Sequence, residues 1–237
     1  MLDSTRDGAV SLLTLQRPER RNALDTDLCR ALWAAAQEEV AAGARVLVIT
    51  GGGTAFCSGA DLDGVYGDEF REAHYALLHG LAALPLPVVG AVNGPAIGAG
   101  TQLALACDLR VADERATFGV PTPRNGMAVD AWTIRTLQTV AGGGLARRLL
   151  IAAEIVDRDV ALQHGLADRP GTLDDALAWA HELATLAPLS LAHNKLVLNG
   201  ADDAAAEATF AACWASDDAR EALAARAERR TPVFRGA

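Results

Sequence analysis

Hydrophobic positions in the first half of the chain follow two spacings, one typical of buried strands and one typical of amphipathic helices. Residues 9–16 are rich in Val, Leu and Thr, which predicts a short strand. Beyond Asp25, apolar side chains recur every three or four residues until Gly43, so we expect a helix capped by Asp25. Compact apolar runs with β-branched members at residues 46–50 and 88–92 predict two buried strands.

The neighbouring segments continue this alternation of strands and helices. The pattern predicts helices at residues 70–84 and 99–107 and a strand at residues 108–112. From Asp130 onward the pattern is helical and is interrupted by glycine and proline. Strands that alternate with helices favour sheets covered by crossover helices, so the predicted fold class is α/β.

Chain length and hydrophobic content set the size of the core. The chain has 237 residues, of which 51% are hydrophobic, and a chain of this length can bury roughly 70% of its unfolded surface. We expect a main domain over residues 1–187 and a helical region over residues 188–237, with the boundary near Pro188. The alanine-rich residues 201–227 favour helix and suggest a surface for a partner.

Charge and cysteine spacing exclude several classes of function. A formal net charge of −9 argues against nucleic-acid binding, which requires a concentrated basic face. A polyanionic ligand would therefore need locally placed arginines. The cysteines are scattered and have no histidine at ligand spacing, so we expect neither a metal site nor a disulfide framework. The histidines are expected to be exposed or hydrogen-bonded: His74, His79, His164, His181 and His193.

Targeting signals are not evident in the sequence. The N-terminus lacks a basic stretch followed by an apolar run, so no secretory signal is predicted. The longest apolar segment, residues 76–92, contains His79, Pro85 and Pro87, which a membrane-spanning helix would not tolerate easily. We therefore expect a cytoplasmic protein without a membrane span.

Two glycine-bearing loops follow the two strongest predicted strands, at residues 51–62 and 93–100. Ligands gather beyond the carboxyl ends of parallel strands, and amides at a helix N-terminus can hold negative charge. Either loop taken singly could be a turn in which glycine is needed only for its backbone conformation and not for ligand binding. Neither loop matches the phosphate-binding motif G-x-x-x-x-G-K-[ST], and no G-x-S-x-G surrounds Ser58 or Ser190.

Together, the order and spacing of these motifs resemble the enoyl-CoA hydratase/isomerase (crotonase) family. The resemblance covers most of the chain and rests on these segments: Arg17-Pro-Glu-Arg-Arg-Asn-Ala-Leu24, Ala55-Phe-Cys-Ser-Gly-Ala-Asp-Leu62, residues 87–100, Cys107-Asp108, Phe118-Gly119 and Gly165-Leu-Ala-Asp168. It implies a crotonase-type β/α spiral core, a helical C-terminal trimerisation region, and assembly as a homotrimer or hexamer. It also implies an acyl-CoA ligand in fatty acid metabolism, with no permanently bound cofactor and with lipid-metabolism enzymes as candidate partners.

The resemblance also implies an oxyanion hole made of two backbone amides. The first donor is the N–H of Ala60. The second is the N–H of Ala99, at a position where the family usually has the middle glycine of a Gly-Gly-Gly run. Alanine still carries an amide hydrogen, so the donor survives, although the added methyl group could narrow the approach to it.

Residues for the CoA moiety are implied in the same way. Backbone groups of Ser58, Asp61 and Leu62 are expected to approach the adenine. Arg21 and Ala23 lie in the segment that flanks the pantetheine and the phosphates. Near the C-terminus, the resemblance implies a contact between a CoA, in many members one held by a neighbouring subunit, and a residue of this set: Arg229, Arg230 or Phe234.

Two positions depart from the pattern of a hydratase. Hydratases of the family use two glutamates to move protons, and the matching positions here are Gln102 and Thr122. Neither an amide nor an alcohol titrates near pH 7, so neither can act as the acid or base. We therefore expect a chain that binds acyl-CoA as a carrier or sequestering protein, with efficient hydration disfavoured.

One carboxylate leaves an enzymatic role open. Asp130 lies eight residues beyond Thr122, where some relatives place a working aspartate, and could serve isomerisation, decarboxylation or hydrolysis of an acyl-CoA. It also immediately precedes a predicted helix, where it would make a good N-cap. Weak hydration of an enoyl-CoA and a purely structural role without a ligand are also compatible with the sequence.

Overall fold

The computed structural model describes residues 1–61 and 67–237. Strands β1 (Leu2–Asp7) and β2 (Val10–Leu15) form an antiparallel hairpin at the N-terminus. Strand β2 then pairs in parallel with β3 (Val46–Gly51), which is buried along its whole length. The predicted strands at residues 9–16 and 46–50 are thus confirmed.

A six-stranded sheet is the centre of the described structure, with the strand order β1-β2-β3-β4-β6-β9. Strands β4 (Val88–Val92), β6 (Leu109–Ala112) and β9 (Arg169–Pro170) continue it with parallel pairing. Parallel neighbours require crossover connections, and buried parallel strands read as continuous apolar runs. The runs in β3 and β4 therefore produced the correct α/β prediction.

Helices cover both faces of this sheet. Helices α1 (Thr26–Ala41) and α2 (Asp68–Ala83) pack together and bury their apolar stripes in the main core. The side chain of Asp25 accepts a hydrogen bond from Leu28 N, which confirms the predicted cap. On the opposite face, helix α6 (Leu173–Ala184) packs its small buried residues against valines of the sheet.

A second, three-stranded sheet lies beside the first and has the order β5-β7-β8. It consists of β5 (Ala96–Ile97), β7 (Thr117–Gly119) and β8 (Ile155–Asp157). Helix α3 (Ala99–Ala106) follows β5 directly, and every residue in it is buried. The start of α3 is consequently held inside the molecule, next to the loop that follows β3.

From Asp130 onward the described chain is mainly helical, as its pattern predicted, but the short strands β8 and β9 interrupt it and were not predicted. Helices α4 (Ala131–Leu150) and α5 (Arg158–Gln163) precede α6, and α7 (Pro188–Leu198), α8 (Asp203–Ala215) and α9 (Asp217–Glu228) follow it. Buried Lys195 anchors α7 to the core by donating hydrogen bonds to Leu81 O, Leu86 O and Asp108 Oδ2.

Among the residues described, no helix is both long enough and apolar enough to cross a bilayer.

Candidate acyl-thioester site

The loop after β3 is fastened to the segment that follows β2. Buried Asn22 donates from Nδ2 to Gly52 O and Ala55 O and accepts from Arg17 N. Further along, Leu24 N donates to Gly59 O at 2.8 Å. Because Asn22 satisfies main-chain groups from both segments at once, it fixes the course of the loop that carries the first candidate donor. The motif contained Asn22, but sequence reasoning gave it no role.

A second set of contacts brings the two glycine-bearing loops together. Cys57 N donates to Pro95 O at 3.1 Å, and Ile97 N donates to Cys57 O at 3.0 Å. A Cβ on Gly100 would lie 2.0 Å from Cys57 O, so only glycine fits there. Gly59 has a φ of 124°, a conformation that side chains disfavour, and its α-carbon faces Ile97 O. Glycine in both loops therefore permits their close approach.

A central cavity of about 830 Å³ opens where these loops meet. It lies within the size range of small-molecule sites. Residues from distant parts of the sequence line it, including most of the predicted site: Ala23, Ser58, Ala60, Asp61, Ala99, Gln102 and Thr122. The structure thus brings together both candidate amide donors and both positions expected to carry glutamate.

Three predicted residues lie elsewhere, and a fourth is not described. Arg21 is exposed, and Arg20 rather than Arg21 is among the residues lining the central cavity. Phe234 borders a different cavity, near α8 and α9. Asp130 stands at the start of α4, just beyond the part of the lining formed by Val129. Leu62 lies outside the described residues.

The amides of two residues expected near the adenine are already bonded. Ser58 N donates to Arg21 O, and Asp61 N donates to Leu24 O. Each amide has one hydrogen, so these two N–H groups are not available to a ligand. Only the carbonyl oxygens of Ser58 and Asp61 remain for backbone contacts with it. The carboxylate of Asp61 pairs with Arg17 at 3.1 Å.

Comparison with known proteins shows similarity along nearly the whole chain. The enoyl-CoA hydratase/isomerase family model matches residues 5–237. This chain belongs to the enoyl-CoA hydratase/isomerase (crotonase) family. The "Probable enoyl-CoA hydratase echA6" of Mycobacterium tuberculosis is 48% identical, with 100% of both chains covered. The 2,3-dehydroadipyl-CoA hydratase of Escherichia coli is 34% identical, covering 98% of this chain and 97% of that protein.

Solved structures agree with this membership. The enoyl-CoA hydratase from Bacillus anthracis superposes with a TM-score of 0.89 at 26% identity, covering 100% of this chain and 99% of that one. An enoyl-CoA hydratase from Mycobacterium smegmatis superposes with a TM-score of 0.87 at 29% identity, covering 98% of each chain. The predicted α/β crotonase fold is therefore confirmed.

In this crotonase-family cavity, the side chain of Gln102 is held at both ends. Its Nε2 donates to Thr133 Oγ1 at 2.9 Å, and its Oε1 lies 3.3 Å from His74 Nε2. A carbonyl oxygen can only accept, so His74 Nε2 carries the hydrogen in this arrangement. Gln102 is thus a fixed polar residue with no proton to exchange near pH 7.

His74 is the main component of the site that sequence reasoning missed. With Phe70 and Tyr75 it lines the central cavity from α2, and it is only 3% exposed. Burial lowers the pKa of the imidazole to about 4, although the hydrogen bond with Gln102 opposes this shift. The ring is therefore neutral at physiological pH. Its Nδ1 is buried and has no hydrogen-bond partner among the described residues, so the expectation of a hydrogen-bonded histidine holds for Nε2 alone.

Asp130 acts as the cap of α4. Its Oδ1 accepts from Thr133 N at 3.0 Å, and its Oδ2 lies 3.0 Å from His79 Nε2. Burial would raise the pKa of this carboxyl group, but the hydrogen bonds from Thr133 and His79 outweigh it and lower the pKa. The predicted capping role is confirmed. Both oxygens are occupied by these contacts, so the geometry gives the catalytic alternative no support.

The C-terminal arginine expected near a CoA is paired within its own chain. Arg230 Nη2 donates to Glu221 Oε2 at 2.8 Å, and Arg230 also pairs with Glu228. The hydrogen bond from Arg230 lowers the pKa of Glu221 to about 2. Phe234 O accepts from Arg45 Nη1 at 2.9 Å, which holds the tail against the core. A CoA phosphate at Arg230 would therefore have to compete with two carboxylates.

Across residues 1–61 and 67–237, no group of three His, Cys, Asp or Glu side chains could hold a metal ion.

Proposed function

We propose that this crotonase-family chain binds fatty acyl-CoA thioesters in the central cavity without hydrating them efficiently. The thioester carbonyl oxygen lies between the backbone amides of Ala60 and Ala99. The observation that carries the proposal is the convergence of these two residues on one cavity with Gln102 and Thr122. Such a protein would hold, sequester or deliver acyl-CoA rather than convert it.

The two amides suit a thioester because carbonyl oxygens accept hydrogen bonds from preorganised main-chain donors. Ala99 is the first residue of α3, where an N–H has no partner within its own helix. The dipole of α3 adds positive potential at the same point. In an enzyme, each such donor contributes a factor of about 10²–10³ to the rate. Here the same groups would serve binding.

The case against efficient hydration rests on the side chains around that point. Gln102 occupies one acid position and cannot titrate, and Thr122 occupies the other. General acid and base groups contribute about 10²–10⁴ each, so a chain without either loses several orders of magnitude in rate. His74 does not replace them, because Gln102 already occupies its Nε2 and its Nδ1 is enclosed.

The names of the relatives favour a second candidate, a weak enoyl-CoA hydratase. Both curated relatives described above are named as hydratases. Under this alternative, Gln102 orients the attacking water without taking its proton. The two candidates differ in turnover and agree on the ligand, so one experiment can separate them.

The experiment measures binding and hydration on the same protein. Purified chain is titrated with saturated acyl-CoA while its melting temperature is followed, and hydration of crotonyl-CoA and a longer 2-enoyl-CoA is followed separately. A ligand at 100 times its Kd should add about 2.7 kcal/mol to the free energy of unfolding. We expect this stabilisation together with hydration at the background rate.

A double variant, Gln102→Glu with Thr122→Glu, is the matched positive control for hydration. It should gain activity while retaining a similar affinity for saturated acyl-CoA. Rapid hydration by the unmodified chain would overturn the proposal in favour of the hydratase alternative. Absence of stabilisation by acyl-CoA at any concentration would leave only a structural role.

We also propose that the chain assembles through its C-terminal helices as a homotrimer or hexamer. Large apolar side chains are exposed on α7 and α8, including Leu198 at 83% and Trp214 at 73%. Exposed apolar patches of this kind mark interaction surfaces. Light scattering of the purified protein tests the assembly, and a stable monomer would contradict it.

A further inference from the structure

A network of hydrogen bonds in the lining of the central cavity joins α2, α3 and α4. Tyr75 Oη accepts from Asp130 N at 3.2 Å, and Asp130 Oδ1 accepts from Thr133 N at 3.0 Å. Thr133 Oγ1 accepts from Gln102 Nε2 at 2.9 Å, and Gln102 Oε1 lies 3.3 Å from His74 Nε2. Since His74 and Tyr75 are consecutive residues of α2, the path returns to its start. We call these five residues the polar network.

The surroundings of His74 indicate which end of the Gln102 amide is the carbonyl. If the amide were turned over, Gln102 Nε2 would donate to His74 Nε2, and the imidazole hydrogen would sit on Nδ1. His74 Nδ1 is buried and has no partner in the part of the chain that the structure describes. Buried N–H groups without an acceptor are rarer in proteins than acceptors without a donor. The orientation in which Gln102 Nε2 faces Thr133 is therefore the favoured one.

Two hydrogens of the polar network are left for a ligand. The Tyr75 hydroxyl accepts the N–H of Asp130, and no residue within 1–61 or 67–237 accepts its own hydrogen. Gln102 Nε2 carries two hydrogens, and Thr133 Oγ1 takes one of them. Both Tyr75 and Gln102 line the central cavity. The lining thus offers one O–H and one N–H to a molecule enclosed there.

The hydroxyl of Tyr75 is held in place at both ends of the side chain. Its ring packs between the imidazoles of His74 and His79, with centroid distances of 5.2 and 6.1 Å. At the far end, the oxygen meets the N–H that directly follows Val129, which also lines the cavity. A donor that is fixed in advance loses little conformational freedom when it binds a ligand.

These donors suit a different ligand group from the one that a carboxylate would suit. A carboxylate only accepts, so it binds water or a hydroxyl group. This chain has Gln102 and Thr122 at the two positions expected to carry glutamate. Asp61, a carboxylate that does line the cavity, is paired with Arg17. The polar network therefore favours a ligand that brings a hydrogen-bond acceptor.

We propose that Tyr75 and Gln102 donate hydrogen bonds to a second carbonyl oxygen of the bound thioester, so that the site prefers 3-oxoacyl thioesters to saturated ones. This inference rests on the proposed function, which places the thioester oxygen between the amides of Ala60 and Ala99. In a 3-oxoacyl group a single carbon separates the two carbonyls, so both oxygens lie within one cavity. A saturated chain has a methylene at that point and leaves both hydrogens unpaired.

The proposal makes Tyr75 a specificity-determining residue with a measurable signature. A hydrogen bond between neutral groups changes a Kd by about two- to tenfold. With two donors on the same oxygen, we expect a 3-oxoacyl-CoA to bind about tenfold more tightly than the saturated acyl-CoA of equal length.

The test compares octanoyl-CoA with 3-oxooctanoyl-CoA by the Kd of each for the unmodified chain and for Tyr75→Phe. The variant keeps the ring and removes the hydroxyl, so the preference should fall to about threefold or less. Loss of the partner of Asp130 N affects both ligands alike. The ratio of the two Kd values therefore reports the ligand contact and not a general loosening of the site.

Two further variants complete the test. Asp130→Ala is the matched control, because it loosens the start of α4 but keeps the backbone N–H that the Tyr75 hydroxyl accepts. It should retain the full preference. Gln102→Glu replaces the free N–H by an acceptor and leaves Tyr75 unchanged, so it should lower the preference even if Tyr75→Phe fails to fold.

Each contrary outcome has a distinct meaning. Equal Kd values for the two ligands in the unmodified chain would overturn the inference while leaving acyl-CoA binding intact. A preference that persists in both Tyr75→Phe and Gln102→Glu would also overturn it, as would its loss in Asp130→Ala. A chain that binds neither ligand would overturn the proposed function itself.

Discussion

Two parts of the central cavity lining differ in what fixes them: the glycine-bearing loops, which we call the main-chain wall, and the side chains of Gln102 and His74, which we call the side-chain wall. The main-chain wall contains Ala60 and Ala99, whose positions depend on glycines and on Asn22 in neighbouring segments. In the side-chain wall, the identity of each side chain decides the chemistry. The two walls therefore respond differently to substitution.

This difference is the reason why the proposed function separates binding from proton transfer. Under the proposed function, alanine at position 99, where the family usually has glycine, keeps the N–H and with it binding through the main chain. Replacing glutamate by glutamine at position 102 keeps the shape and removes the proton. The main-chain wall should thus be sensitive to changes that move the backbone, and the side-chain wall to changes of charge.

The largest effect should come from Gly100→Ala, which displaces the backbone of the main-chain wall. The added Cβ would lie 2.0 Å from Cys57 O, so the two loops must separate. We expect a loss of about 3 kcal/mol in the free energy of unfolding, measured by urea denaturation, together with loss of acyl-CoA binding. Gly144→Ala is the control, since its Cβ meets nothing within 4 Å. Normal binding by Gly100→Ala would show that the loop contact is dispensable.

A somewhat smaller effect is expected for Asn22→Ala. The change leaves the buried oxygen of Ala55 and the partly buried oxygen of Gly52 without this donor, and a buried group left unpaired costs about 1–3 kcal/mol. We expect a loss of about 2–3 kcal/mol in urea denaturation and weaker acyl-CoA binding. Asn199→Ala, which removes an exposed hydrogen bond to Ala82 O, should cost less than about 1 kcal/mol. Equal effects of the two variants would contradict the role given to Asn22.

The side-chain wall should make stability depend on pH through His74. Its folded pKa is about 4, below the usual value of 6.5, so between these values the unfolded chain binds a proton that the native chain excludes. The contribution of neutral His74 to the free energy of unfolding is therefore complete above pH 6.5. It falls as the pH drops towards 4, by up to about 1.4 kcal/mol per pH unit. Urea denaturation at pH 7 and pH 5 should show this slope in the unmodified chain. A reduced slope is expected for His74→Leu, and an unchanged slope in that variant would exclude the effect.

The smallest effect should come from the cap beside this wall. Asp130→Ala removes the bond to Thr133 N and should cost about 1 kcal/mol, whereas Asp130→Asn keeps a capping oxygen and should cost less. Neither change should alter the Kd for acyl-CoA by more than a few-fold. Loss of a measurable turnover in Asp130→Asn would instead support the catalytic alternative.

The sequence predicted the long, strongly patterned elements and missed the short ones. Strands β3 and β4 were evident because every residue in them is buried and apolar residues dominate both. Strand β1 lies at the edge of the sheet with five of its six residues exposed, so it has no apolar alternation to detect. Strands β5 and β9 have two residues each, which is too short for any periodicity.

The sequence predicted those parts of the site in which a sequence motif determines the backbone conformation. The loops carrying Ala60 and Ala99 have fixed spacing, and the structure places both residues on one cavity. His74 had no such signal, because it lies 28 residues from Gln102 in sequence and meets it only through the packing of α2 against α3.

The two hydrogen bonds that hold the side chain of Gln102 also have a consequence for substitution at this position. A glutamate at position 102 would be met by the Thr133 hydroxyl and by the hydrogen on His74 Nε2. Polar neighbours suited to an acid therefore surround the amide today. One substitution there would place a titratable carboxylate beside the central cavity between hydrogen-bond donors that already exist.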